Sequence, residues 1–150
     1  DFVNTDFKLA INAKNIDKKF QGLQWITPKY STNPKHEIKL INEIKEIIQK
    51  DETNKIIISN YQILSAIILT KNYAPNKWFD TRSVPSKDNR YFQIYKDFFI
   101  ENLKKQKIQN IYTIGKNKVK YFTFINENNC MSYNQINEIL FLSNIEKCLK

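Results

Sequence analysis

Residues 55–70 read KIIISNYQILSAIILT, and the order of residue types in that stretch decides the fold. Ile56, Ile57 and Ile58 form an unbroken β-branched run of the kind found in strands buried on both faces, which are usually parallel. Residues 61–70 then read as a short, mostly buried helix. Ser59, Asn60 and Tyr61 fall at the carboxyl end of the strand, where open α/β sheets place their ligands.

Upstream, Asn33 as cap and Pro34 at the first helical position open an amphipathic helix. It carries Ile38, Ile41, Ile44, Ile47 and Ile48 at helical spacing and runs through Lys50. Residues 23–27, which hold Trp25 and are closed by Pro28, read as a first strand. Residues 1–21 are polar and weakly patterned, with Phe7, Leu9 and Ile11 alternating, and read as an arm or connector. Downstream, residues 88–105 predict a second long helix with Phe92, Tyr95, Phe99 and Leu103 on one stripe. Residues 108–114 form a second β-branched strand ended by Gly115, residues 119–125 a third or edge strand, and residues 133–142 and 144–149 terminal helical segments. This order predicts one α/β domain over residues 1–150. Its expected architecture is three layers around a small, mainly parallel central sheet in a Rossmann-like order, with 56–59 and 108–114 adjacent at the centre.

Composition narrows the chemistry. The chain has 150 residues, 41% hydrophobic and 26% charged, which suits one compact domain. Its longest mostly apolar stretch, residues 61–69, is about half of what a membrane span needs, so the chain by itself is expected to be soluble. Gly22 and Gly115 are the only glycines, too few for a dinucleotide fingerprint or a phosphate-cradling P-loop. One histidine, His36, and two cysteines cannot make a zinc finger, a two-histidine metalloprotease helix or a C-x-x-C redox pair. With no G-x-S-x-G elbow either, no catalytic residue, metal or cofactor is expected.

The net charge of +9 comes from 24 basic and 15 acidic residues, and every basic residue except Arg82 and Arg90 is lysine. Lys104, Lys105, Lys107, Lys116, Lys118 and Lys120 lie in a stretch without an acid and would attract an anionic partner such as nucleic acid or a phospholipid surface. Nucleic-acid surfaces pair lysine with arginine and stacking aromatics, whereas Tyr112, Tyr121 and Phe122 alternate with polar residues as strand residues do. A solvated face is therefore favoured over nucleic acid.

Residues 71–90, KNYAPNKWFDTRSVPSKDNR, hold two prolines, Tyr73, Trp78, Phe79 and both arginines, and are long for a plain connector. Trp78 offers a plate for a sugar face, and Arg82 a planar donor fork for an anionic group. The candidate substrate contacts are Asn60, Tyr61, Trp78, Asp80 and Arg82. The competing reading makes Trp78 a plug at the core's edge, with Arg82 paired to Asp80 or Asp88 to hold the loop's shape.

Cys130 and Cys148 are either bonded or two buried free thiols, and their number does not decide. Their placement near the end of a helical tail, where a staple would stop fraying, favours a bond. A bond would imply an oxidising compartment.

The stretches LQWITP (23–28), EIKLINEIKEII (37–48), KIIISNYQILSAIIL (55–69), PNKWFD (75–80), PSKDNRYF (85–92) and IQNIYTIG (108–115) together define a resemblance. The chain resembles the soluble C-terminal domain that follows the membrane helices in bacterial glycosyltransferases of the polyprenyl-phosphate-sugar-dependent class, similar to the dolichyl-phosphate-mannose protein mannosyltransferases. In that family the catalytic acids lie on loops of the membrane portion, so the resemblance implies that the isolated chain is inactive. It also implies a location on the periplasmic, extracytoplasmic face and two partners: the transmembrane portion of a parent protein, and a sugar or sugar-phosphate acceptor. The alternative is a free-standing basic module that binds an anionic polymer through residues 104–120.

Overall fold

The computed structural model describes residues 6–26, 33–61, 63–115 and 119–150, which belong to two compact units, residues 1–50 and 51–150. Thr27 and Pro28 of the first expected strand, Gln62 of the expected 61–70 helix, and Lys116 and Lys118 of the basic stretch lie outside the described residues.

In the first unit, residues 1–5 of the stretch read as an arm lie outside the described residues, and residues 6–21 form three 3-10 turns and a strand. Asp6, Asn12 and Asp17 each accept the backbone N–H two residues on, from Lys8, Lys14 and Lys19. Such short side chains start turns by satisfying the first free donor of the new segment. Strands β1 (Ile11–Asn12) and β2 (Gln24–Trp25) pair antiparallel, with Ile11 opposite Trp25. Helix α1 (Pro34–Lys50) has the predicted bounds, and Asn33 Oδ1 accepts the Lys35 N–H at 2.9 Å. Its isoleucines at 38, 41, 44 and 48 are buried. Three side-chain bonds tie α1 to the preceding segment: Trp25 Nε1 to Glu37 at 2.8 Å, Asn42 to the Asn15 carbonyl at 3.0 Å, and Lys45 to Asp17 at 2.6 Å.

The second unit contains β3 (Lys55–Ser59), α2 (Leu64–Ile67), α3 (Phe92–Lys105), β4 (Asn110–Ile114), β5 (Ser132–Gln135) and β6 (Leu140–Asn144). The four strands form one sheet in the order β3-β4-β6-β5. β3 and β4 run parallel with Ile56 opposite Ile111, while β6 is antiparallel to both β4 and β5. The unit is a small α/β fold, but the expected three-layer, mainly parallel architecture is wrong: the sheet is mixed, and β3 is an edge strand rather than a central one.

The error has a local cause. Ile136, Ile139 and Leu140 have helical spacing, yet Asn137 Oδ1 accepts the N–H groups of Ile139 and Leu140 at 3.1 and 2.8 Å and folds residues 136–139 into a hairpin loop. What read as a terminal helix is therefore the β5–β6 hairpin. Residues 119–125, expected as a strand, form two 3-10 turns, Val119–Tyr121 and Thr123–Asn126, anchored by buried Phe122, Phe124 and Ile125. The expected 61–70 helix shrinks to α2, whose Leu64 and Ile67 are buried.

One face of the sheet carries Ile56, Ile58 and Ile111 into a core completed by Phe99 and Leu103 of α3, Phe79 of the long loop, and Phe122 and Phe124. Phe99 and Phe124 meet edge to face, with ring centroids 5.4 Å apart. The predicted stripe of α3 faces this core, and Phe99 and Leu103 are fully buried.

Candidate functional site

At the carboxyl end of β3 the chain turns sharply, because Ser59 Oγ accepts the Tyr61 N–H at 2.8 Å. The loop after α2 then runs back beside β3, where Tyr73 donates its N–H to the Lys55 carbonyl at 3.1 Å. Between this turn and this loop lies a cavity of about 660 Å³, within the size range of small-ligand sites. Asn60, Tyr61, Trp78 and Asp80, four of the five residues picked from the sequence, line it together.

Trp78 is 44% exposed, and the Lys77 ammonium lies 5.4 Å from its ring centroid. The core plug of the loop is its neighbour Phe79, which packs edge-on against Phe99 at 6.1 Å. Asp80 holds the turn: its Oδ1 accepts the backbone N–H groups of Ser83 at 2.8 Å and Arg82 at 2.9 Å. These bonds, led by Ser83, hold the carboxyl below its usual range, so it is ionised at neutral pH. Among the described residues no ion pair joins Arg82 to Asp80 or Asp88.

Arg82 does not line the main cavity. The turn held by Asp80 sends it into a neighbouring, shallower groove of about 550 Å³, shared with Asn89, Tyr95 and Phe98. Besides the Asp80 bond to the Arg82 N–H, a side-chain hydrogen bond joins the walls of the two depressions, from Asn76 Nδ2 to the Tyr95 hydroxyl oxygen at 2.8 Å. Burial pushes the Tyr95 phenol up to about 12, with the Asn76 bond opposing it, so the hydroxyl is neutral. Gly115, at the carboxyl end of β4, takes a φ of +96° that side-chain-bearing residues rarely adopt and donates its N–H to the Ile139 carbonyl at 2.7 Å.

Sequence reasoning missed the amide and hydroxyl lining of the cavity. Asn72 and Asn76 sit in the suspected loop, but their roles depend on where the loop lies against β3. Thr70 also lines the cavity, and its buried Oγ1 has no hydrogen-bond partner among the described residues.

A second polar cluster lies at the opposite, amino end of β3. The Asp51 carboxylate accepts from the Thr53 N–H (2.8 Å) and hydroxyl (2.6 Å), from Asn110 Nδ2 (2.9 Å) and from the Tyr112 hydroxyl (2.8 Å). The buried Lys55 ammonium donates to the Asp51 carbonyl. Burial raises the Asp51 pKa, and the bonds from Thr53, Asn110 and Tyr112 outweigh it, leaving the carboxyl below its ordinary value. Asn144 extends the cluster by donating to Asn110 Oδ1 at 3.0 Å, so it fastens β3, β4 and β6 together.

Cys130 and Cys148 form a disulfide, with Cα atoms 5.1 Å apart. Among the described residues no group of three or more histidine, cysteine, aspartate or glutamate side chains is placed to hold a metal ion, and no helix is long and apolar enough to cross a membrane. Comparison of the chain with protein-family models, with curated proteins and with solved structures finds no match.

Proposed function

We propose that this chain is a non-catalytic extracytoplasmic domain of a polyprenyl-phosphate-sugar-dependent membrane glycosyltransferase, holding an acceptor or sugar-phosphate in the cavity at the carboxyl end of β3. The observation that carries this reading is Trp78, half-exposed on the cavity wall with the Lys77 ammonium over one part of its ring. An indole plate stacks on a sugar face, and an adjacent cation suits an attached phosphate. The side-chain amides of Asn60 and Asn76 and the unpartnered Thr70 hydroxyl are neutral groups suited to sugar hydroxyls. The Cys130–Cys148 disulfide supports an oxidising compartment, in keeping with the periplasmic face. In this reading the chemistry and the remaining contacts belong to the transmembrane portion of the parent protein.

Chemical-shift perturbation with polyprenyl-phosphate-sugar head-group analogues tests the site. Shifts are expected at Asn60, Asn76 and Trp78, with loss in Trp78→Ala and weakening in Lys77→Ala. Silence in this loop, with shifts over residues 104–120 on adding oligonucleotide that weaken steeply with salt, would favour a polyanion module instead.

A further inference from the structure

Helix α3 carries two apolar faces. Phe92, Tyr95, Phe99 and Leu103 serve the core, while Tyr91, just before the helix, and Ile94 and Phe98 within it are spaced three and four apart along a different line and point outward. They are 53%, 68% and 48% exposed. These three border the shallower groove, whose polar wall includes Arg82. The other arginine, Arg90, lies over the Tyr91 ring with its guanidinium carbon 4.5 Å from the centroid. Both arginines of a chain with 24 basic residues thus flank one apolar stripe, and among the described residues neither has an ion pair.

We infer that this face docks on an anionic lipid bilayer, with Tyr91, Ile94 and Phe98 entering the interface and Arg82 and Arg90 meeting lipid phosphates. The inference does not rest on the sugar reading, whose cavity uses other residues. Size and charge together choose the occupant. The exposed parts of the three side chains amount to roughly 300 Å² of apolar surface, short of the roughly 450 Å² that is the apolar share of one partner's ~800 Å² in a specific protein interface. Such a small apolar patch holds a lipid surface when cations add to it, each arginine near an anionic surface strengthening binding about fivefold. The net charge of +9 adds long-range attraction of the same sign. The acids near this face are Asp80, whose carboxylate accepts the Arg82 N–H and attracts its charge, Asp88, bonded by Ser86 of the groove wall, and Asp97, bonded by Gln93 at 2.8 Å; Lys87 joins the two arginines against them. Glu101, one turn beyond Phe98, is the charge that opposes docking at the stripe's far end.

Co-sedimentation of the full chain with phosphatidylcholine vesicles, with and without phosphatidylglycerol, tests this. Binding is expected only with phosphatidylglycerol. It should be lost in the Ile94→Asp, Phe98→Asp double variant and weakened about fivefold per arginine in Arg82→Gln, Arg90→Gln. Both positions of the first variant are exposed, so its fold is retained, and an unchanged urea midpoint verifies that. Lys14→Gln with Lys18→Gln removes the same two charges from the first unit and should have a smaller effect than the arginine pair. If the two pairs act alike, or if the aspartates change nothing, attraction by net charge alone accounts for binding and the proposal is overturned. Retention of poly-glutamate but not of vesicles, lost in the same variants, overturns it in favour of an acidic polypeptide.

Discussion

The carboxamide of Asn72 stands in for a missing strand at Ile57. Its Oδ1 accepts the Ile57 N–H at 2.9 Å and its Nδ2 donates to the Ile57 carbonyl at 3.0 Å. β3 is an edge strand, and an open edge is a template for pairing with another chain. Asn72 closes that edge and in the same contact lays the loop beside β3, which is what gives the cavity its second wall.

Asn72→Ala should therefore do two things at once. Loss of the two bonds to Ile57 and of the Ala74 N–H bond to Asn72 Oδ1 should cost about 0.5–1.5 kcal/mol per bond at this partly solvated edge, read from urea denaturation. Hydrogen exchange of the Ile57 amide should quicken in step. Slow exchange with an unchanged midpoint would mean that the loop is held by other contacts.

Acid should weaken the amino end of β3. The Asp51 carboxyl titrates below its ordinary value of 3.8 in the folded chain. A group with a depressed folded pKa contributes stability that is fully present above the unfolded value and is lost as pH falls through the folded one. At neutral pH, Asp51→Asn should cost about 1–3 kcal/mol, because the donors of Thr53, Asn110 and Tyr112 lose their shared anion. The gap between wild type and variant should close as pH drops below 3.8, and a gap independent of pH would show that the carboxylate's charge is not what the cluster uses. Tyr112 stays a donor throughout the neutral range, since burial and then the Asp51 carboxylate push its phenol far up.

The elements that could be read from the sequence are those whose signals are local. Asn33, Pro34 and the isoleucine period fix α1 within a few bonds of one another, and the aromatic stripe of α3 needs only helical spacing. The β5–β6 hairpin was hidden because Ile136, Ile139 and Leu140 repeat like a helix, and one carboxamide, that of Asn137, decides otherwise. At the site, Asn60 and Tyr61 were legible because a strand's carboxyl end is a general ligand position. Nearness in sequence groups Arg82 with Trp78, and the Asp80 turn separates them. Asn72 and Asn76 were illegible because their partners, Ile57 and Tyr95, lie 15 and 19 residues away.

Within the parallel pair, the two faces of β3 should respond differently to truncation. Ile56 is fully buried in the core, so Ile56→Ala should cost about 2–5 kcal/mol. Ile57 points to the other face and is only half-buried, so Ile57→Ala should fall below that range. Equal losses in chemical denaturation would contradict the register of β3 against β4.

The disulfide should matter most to the strand with the least packing. Cys130 and Cys148 are 18 residues apart and bracket the β5–β6 hairpin. All four residues of β5 are exposed, so the strand is held by its pairing with β6, by the stacking of Tyr133 on Phe141 with centroids 5.6 Å apart, and by the staple at its start. A bond closing a loop of this size restricts the unfolded chain by about 3 kcal/mol on the loop-entropy estimate. Reduction should lower the unfolding midpoint accordingly, and hydrogen exchange in residues 132–135 should rise before that in β4, which is paired on both sides. Thiol titration of the unfolded, non-reduced chain should find no free thiol. Two reactive thiols, or a midpoint indifferent to reductant, would remove the staple and with it the support for an oxidising compartment.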